Sequence, residues 1–283
     1  MGRDCDFGFA ACVTGSGVKF SESTYDEPRL ISRGRPEIRM DWMDPVEFCT
    51  QRLALMPDAR QAKVLRSTAK RGALNCARQW GKSTITAAKA VHRAWSRAGA
   101  LVIFASPTER QSAELLRKAA GMVRRLGIKP RGDGDNAHSL VFPNGSRIVA
   151  LPGTEATVRG FSQVSLMLID EASRVTDALY LALRPMLIVG DGDLWLMSTP
   201  YGQRGFFYDA FNAAAKTWER FTVPATENPR IRPDQLEQER EAMGSSHFAQ
   251  EYQCEFVDNG TMVFAQILID AAFDDTVQAL VIP

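Results

Sequence analysis

From about Met40 onward the apolar residues of the chain fall into two rhythms. The stretches "ALVIFAS", "VSLMLIDEAS" and "DLWLMSTP" are short, unbroken apolar runs, the pattern of strands covered on both faces. "GALNCA" and "WERFTVPA" read as two further strands. Between these runs the apolar positions take helical spacing. "KSTITAAKAVHRAWSRAG" places Ala88, Val91 and Trp95 on one face and stops at Gly99, and "ERQSAELLRKAAGMVRRLG" closes at Gly127. "DPVEFCTQRLALM" predicts a short helix entered through Asp44-Pro45, "PDARQAKVLRSTA" a second, and further helices are expected near residues 177–187 and over "QRGFFYDAFNAAA". "SLVFPNGSRIVALPG" has alternating segments on either side of Asn144-Gly145, the signal of a hairpin. The tail "RPDQLEQEREAMGSSHFAQEYQCEF" reads as two helices, with Pro233 near the start and Gly244 between them, packing back on the sheet. Strands that alternate with helices imply an α/β fold with a mostly parallel central sheet flanked by helices, plus a small helical tail.

Residues 1–39 lack this periodicity and mix Gly, Ser, Pro and charges, so they are expected to form a loosely ordered N-terminal extension, with Met40 as an alternative start. The expected division is this extension, a core domain over 40–258, and a linker stub over 259–283. At 283 residues and 45% apolar, the chain can bury one large core or two modest ones. Its 34 basic and 33 acidic residues leave a net charge of +1, which excludes neither nucleic acid nor protein partners. The five cysteines are widely spaced with no Cys-x-x-Cys, arguing against a disulfide framework or a zinc site and for a reducing cytoplasm. No apolar run reaches the roughly 18 residues of a membrane span, and the acids in "MGRDCDFGFAACV" do not suit a signal peptide.

Candidate chemistry begins between the strand "GALNCA" and the following helix, where "RQWG" leads into Gly81-Lys82-Ser83. A Gly-Lys-[Ser/Thr] triplet arises by chance in roughly one chain in seven of this length, so its context decides. Strand, loop and helix stand in the order of a phosphate-binding loop, in which backbone N–H groups at a helix N-terminus cradle a polyphosphate. Lys82 would then face the β- and γ-phosphates of a nucleotide and the Ser83 hydroxyl a Mg²⁺ ion; the other reading is an ordinary helix start with an exposed lysine. Cys76 stands where such loops have their first glycine. A second element, Asp170-Glu171 at the end of "LMLID", suits a metal-holding carboxylate followed by a general base, or else the acidic first turn of the next helix. Ser198-Thr199-Pro200 ends another apolar strand, where ligand sites of open α/β sheets collect. Gln61 can meet an adenine edge or stand solvated on its helix, and Arg78 can act as an arginine finger in cis or lie free on the surface.

Taken together these residues resemble the ATPase domain of the large terminase subunits of tailed double-stranded DNA phages, over about Pro57 to Phe264. The marks are "ARQWGKST", with Arg-Gln in place of a glycine-rich lead, "SPTERQSAELL", "VRGFSQVSLMLIDEASRV" with Arg159-Gly160 before the acidic pair, "STPYGQRGFFYDAF" and "FAQEYQCEF". The resemblance implies a P-loop NTPase of the RecA-like type that uses ATP and Mg²⁺ to thread double-stranded DNA into a procapsid. Its implied partners are a portal protein and a small terminase subunit, as a ring homo-oligomer when docked and a monomer possible in solution, in the bacterial host cytoplasm. Carried onto this sequence, it implies that Lys82 and Ser83 hold phosphate and Mg²⁺ within a binding loop of Arg78, Gln79, Trp80, Gly81 and Thr84. It further implies that Asp170 holds the metal, Glu171 activates water, and Arg78 acts in cis or senses phosphate, with Ser198 and Thr199 in the coupling motif and Gln61 at adenine.

Such subunits normally continue into a nuclease domain, and few residues follow Phe264, so DNA cleavage is not expected from this chain. Asp270, Asp274 and Asp275 are read as a solvated helix or linker, and Asp191 and Asp193 as a tight turn before a strand. Arg124, Arg125, Lys129 and Arg131 are read equally as a DNA contact or a solvated helix end. Two other functions suit parts of the pattern: a superfamily 2 helicase-like ATPase, and a catalytically inert module that docks on a portal.

Overall fold

A computed structural model describes residues 43–134, 138–151, 153, 160–212 and 217–258. The extension 1–39, the stub 259–283 with its three aspartates, and Arg159 lie outside the described residues. Helix α1 (Pro45–Arg52) starts where Asp44 accepts from the N–H groups of Val46 and Glu47, with Pro45 filling a position that needs no donor. Helix α2 (Ala59–Arg66) starts with a capping box between Asp58 and Gln61. There follow β1 (Arg71–Cys76), α3 (Lys82–Ser96), β2 (Leu101–Ala105), α4 (Glu109–Arg125), and the hairpin of β3 (Ser139–Val141) and β4 (Arg147–Ala150). Strand β5 (Val164–Asp170) leads through a short turn to α5 (Asp177–Leu183), then β6 (Asp193–Ser198), α6 (Gly205–Asn212) and β7 (Glu219–Val223). The tail is α7 (Pro233–Met243) and α8 (Ser245–Tyr252), broken at Gly244 as the sequence predicts.

One sheet of seven strands runs in the order β3-β4-β2-β5-β6-β1-β7. Every neighbouring pair is parallel except β3 with β4, whose two-way hairpin permits antiparallel pairing. The unbroken apolar runs are explained by alternation between two buried faces. Leu166, Leu168, Trp195 and Met197 pack with α1 to α4, while Met167, Ile169, Leu194 and Leu196 pack with α5 and α6. Gly72 is obligatory here, because a Cβ would stand 2.4 Å from the Trp195 ring. No helix among the described residues is long and apolar enough to cross a membrane.

Strand β6 is inserted between β1 and β5, with Asn75 paired to Ser198 and Asp170 to Met197. These registers bring the ends of β1, β5 and β6 to one level at the carboxyl edge of the sheet. One expectation needs correction at the opposite edge. Asp193 is the first residue of an inner strand and is buried, so it lies outside the turn that Asp191 occupies. A carboxylate covered in this way needs a partner, and Arg93 of α3 supplies it while donating to Ser165 O at 2.8 Å. Among the basic candidates, Arg125 donates to Leu53 O at 2.5 Å and so caps the local backbone.

Candidate functional site

The loop after β1 leaves the sheet gradually. Ala77 N donates to Val223 O at 3.0 Å, continuing the pairing of β1 with β7 for one more residue. Cys76 is therefore still in a strand, buried and at an ordinary backbone angle, which removes the need for glycine at that position. The left-handed turns come later, at Gln79 (φ 64°) and Gly81 (φ 96°). Gly81 then begins α3 without a side-chain cap, its carbonyl accepting from Thr84 N and Ile85 N. Among the described residues the N–H groups of Gly81, Lys82 and Ser83 meet no protein acceptor. Free donors at the positive end of a helix dipole make an anion site.

Facing this loop is the end of β5. Ser83 Oγ donates to Asp170 Oδ2 at 3.1 Å, and Lys82 Nζ stands 2.9 Å from Glu171 Oε1. Burial pushes the Asp170 carboxyl above its usual value; Lys82 pulls it down, Glu171 pushes it further up, and the Ser83 bond again lowers it. Glu171 itself has φ 51°, a strained angle for a side chain of this size, of the kind that gathers at functional sites. A chain of hydroxyls ties it to the end of β6. Ser198 Oγ reaches Glu171 Oε2 at 3.4 Å and Ser173 Oγ at 2.7 Å, and Ser173 Oγ donates to Thr199 O at 2.8 Å. Of the two hydroxyl residues singled out in the sequence, Ser198 meets the carboxylate directly, and Thr199 is joined to it only through its backbone carbonyl and Ser173, a residue that was not singled out.

A cleft of about 510 Å³ opens between these elements. The structure adds Gln111 and Lys118 of α4 and Arg174 to its lining. Gln111 and Lys118 are seven positions apart on one helix face, a spacing visible in the sequence once the helix is known to flank the loop. Arg174 stacks 4.1 Å over the Tyr201 ring, which fixes a guanidinium close to the acidic pair.

Two expected residues sit differently from their predicted roles. Gln61 is buried, its Oε1 accepting from Asp58 N at 3.1 Å and its Nε2 donating to Trp80 O at 3.0 Å. Its amide therefore serves the loop, and contact with a base edge would use the second amide hydrogen and the second lone pair of Oε1, or follow the loss of the Trp80 bond. Arg78 is exposed and pairs through Nε with the buried Glu251 of α8. Burial pushes the Glu251 carboxyl up, but the bond and charge of Arg78, with smaller help from Gln250 and Arg174, together leave the group below its usual value. The tail is thereby joined to the loop, with Arg78 N also donating to Glu251 O at 3.3 Å. Of the remaining loop residues, Trp80 is buried, Gln79 is exposed, and Thr84 sits half-buried in the first turn of α3.

A phosphate-binding loop on β1, a carboxylate pair on β5, and the strand β6 inserted between them define a P-loop NTPase fold of the RecA-like type. Comparison with known proteins narrows this class. A sequence profile for the terminase large subunit, T4likevirus-type, N-terminal, matches residues 74–270, and the chain belongs to this family. It is 24% identical over 142 residues to the terminase large subunit of Escherichia phage T5, covering 48% of this chain and 32% of that relative. In structure it is similar to the large terminase ATPase domain of Thermus phage P74-26, with TM-score 0.67 and 23% identity, over 76% of this chain and 100% of that one. It also resembles the large terminase of the thermophilic bacteriophage D6E in complex with ADP, with TM-score 0.62 and 13% identity, over 71% of this chain and 54% of that one. The chain thus spans about a third of the length of the curated relative and about half of the D6E protein.

Proposed function

We propose that this chain carries the ATP-hydrolysing motor of a terminase large subunit, driving double-stranded DNA into a procapsid. The observation that carries the reading is the meeting of Lys82 with Glu171 at 2.9 Å and of Ser83 with Asp170 at 3.1 Å, beside the unpaired N–H groups of α3. On this reading the N–H groups and Lys82 bind the β- and γ-phosphates of ATP, while Arg78, Gln79, Trp80, Gly81 and Thr84 form the loop around them. Glu171 orients a water against the γ-phosphate and accepts its proton, and Ser198 and Thr199 report the state of that carboxylate to β6. Lys82 shields Glu171 in the present geometry. A phosphate that draws Lys82 away would leave the carboxylate free to act as a base.

The Ser83 hydroxyl and the Asp170 carboxylate offer the hard oxygen ligands that suit Mg²⁺. Among the described residues no group of three or more His, Cys, Asp and Glu side chains could hold a metal by itself, which fits an ion shared with substrate phosphates. When bound, Mg²⁺ neutralises the charge of the phosphates. Arg78 serves this site as a finger in cis only after leaving Glu251. Relatives bear on the nucleotide: the D6E protein is described in complex with ADP and with ATP-gamma-S.

Residues 40–258 are proposed as the ATPase unit, 1–39 as an extension and 259–283 as a linker, acting with a portal protein, a small terminase subunit and further copies in a ring, in the host cytoplasm. No nuclease role is assigned to this unit. The family match favours this motor over a helicase-like ATPase, and the complete set of Lys82, Ser83, Asp170 and Glu171 favours it over an inert docking module. The test is ATP hydrolysis with and without double-stranded DNA by the wild type, Lys82→Ala and Glu171→Ala. Both variants lose turnover and Glu171→Ala still binds ATP; turnover that survives in either overturns the assignment.

A further inference from the structure

Gly81 is the one glycine in the loop between β1 and α3, and Gln79 occupies a left-handed angle that glycine adopts without strain. Something outside the loop must hold it. The carbonyl of Gln79 accepts from Asn228 Nδ2 at 3.3 Å and from Arg230 Nη2 at 3.4 Å. The carbonyl of Trp80 accepts from Gln61 Nε2 at 3.0 Å and from Arg230 Nη2 as well. Asn228 is itself 2% exposed, and its Oδ1 accepts from Arg230 N and Nε, both at 3.2 Å, which aims the guanidinium at the loop. Two successive carbonyls are thus pinned by one set of donors. Across a planar trans peptide the N–H points opposite to the C=O, so pinning the Gln79 and Trp80 carbonyls turns the N–H groups of Trp80 and Gly81 away from the brace.

We propose that Asn228 and Arg230, from the segment that follows β7, are positioning residues that together with Gln61 hold the phosphate loop in its binding conformation. They take over externally the conformational task that glycines perform within a glycine-rich lead. The proposal rests on the nucleotide-site reading above. It also makes the segment after β7 a determinant of nucleotide affinity, although Arg230 itself is exposed and its bonds fall on loop carbonyls.

The test measures the affinity of the full chain for fluorescent mant-ADP with Mg²⁺, and kcat and KM for ATP. The proteins are wild type, Lys82→Ala, Asn228→Ala, Arg230→Ala, Arg230→Lys and Asn228→Ala combined with Gln79→Gly. Arg230→Ala and Asn228→Ala are expected to weaken binding about tenfold each, the shift that losing one or two hydrogen bonds produces, with the change in KM exceeding that in kcat. Arg230→Lys recovers only part, because an ammonium lacks the planar fork that holds Asn228 Oδ1 through Nε while Nη2 reaches the two carbonyls. Gln79→Gly restores affinity of about threefold or more to Asn228→Ala by removing the cost of the left-handed turn. Asn228 is buried, and thermal unfolding identifies any variant that is simply misfolded; the exposed Arg230 keeps the test decisive in that case. If the wild type binds mant-ADP and Lys82→Ala does not, yet Arg230→Ala binds like wild type, the brace is wrong and the site stands. If Gln79→Gly further weakens Asn228→Ala, the brace is likewise wrong. If the wild type binds no nucleotide, both readings fall together.

Discussion

Two ion pairs occupy opposite ends of the same sheet. Lys82 and Glu171 meet where β1 and β5 finish, with side chains 13% and 25% exposed. Arg93 and Asp193 meet near where β5 and β6 begin, with side chains 24% and 10% exposed. Burial is similar and each joins α3 to a strand or its end, so geometry alone does not separate them. Their surroundings do. Arg93 also donates to Ser165 O, and Asp193 lies 3.6 Å from Lys70, so the protein itself satisfies that pair. The other pair lines an open cleft beside helix N–H groups with no protein acceptor, and its glutamate is strained. A structural pair is closed by its neighbours, whereas on the proposed reading a working pair is left with donors that only a ligand can use.

The sharpest way to break this comparison is to remove charge at each end in turn. Glu171→Gln keeps the shape and deletes the base, and steady-state ATP hydrolysis should fall by about 10² to 10⁴ with the unfolding midpoint little changed. Asp193→Ala should do the reverse. Leaving Arg93 largely buried and unpaired is expected to cost roughly 3 kcal/mol in urea unfolding, with turnover kept at temperatures where the variant is folded. An Asp193→Ala protein that is stable but inactive would erase the distinction between the two ends.

A third buried charge refines it. Lys89 donates to Val64 O, Leu65 O and Ser67 O at the end of α2 and lies 4.3 Å from the Trp195 ring centre. Burial lowers its pKa to about 8. The unfolded chain, with an ordinary lysine near 10.4, then binds more protons between about pH 8 and 10.4, so this residue makes the protein gain stability as pH rises through that window. Compared with Lys89→Met, the wild type should gain about 2 kcal/mol between pH 7 and 9.5, read from urea midpoints. The smallest effect is expected from the cysteines. Burial pushes Cys49 and Cys254 up to about 12 and Cys76 well above its usual value, so iodoacetamide at pH 8 should leave all three unmodified in the native protein and label them after denaturation, as checked by peptide mass mapping.

The fold was legible because its signals are local and periodic: the helix entry at Asp44-Pro45, the apolar runs of β2, β5 and β6, and the Asn144-Gly145 hairpin each state their own structure. The pairing of Ser83 with Asp170 was legible from the order of the elements. Contacts between distant segments were not. Nothing local marks Glu251 as the partner of Arg78, or Asn228 and Arg230 as donors to the loop, because those meetings depend on how the tail returns to the sheet. Asp193 was misplaced for a related reason: Gly-Asp-Gly-Asp reads as a turn, and only the insertion of β6 between two strands covers its second aspartate. Cys76 needs no glycine because the left-handed turn begins only at Gln79.

The most direct measurement is equilibrium binding of ATP with Mg²⁺ by calorimetry to the wild type and to Lys82→Ala. A single site is expected on the wild type and a loss of about a hundredfold or more in the variant, since Lys82 is the cation at the free end of α3. A wild type without binding, or a Lys82→Ala protein that binds as tightly, would contradict the claim that the carboxyl edge of this sheet is a nucleotide site.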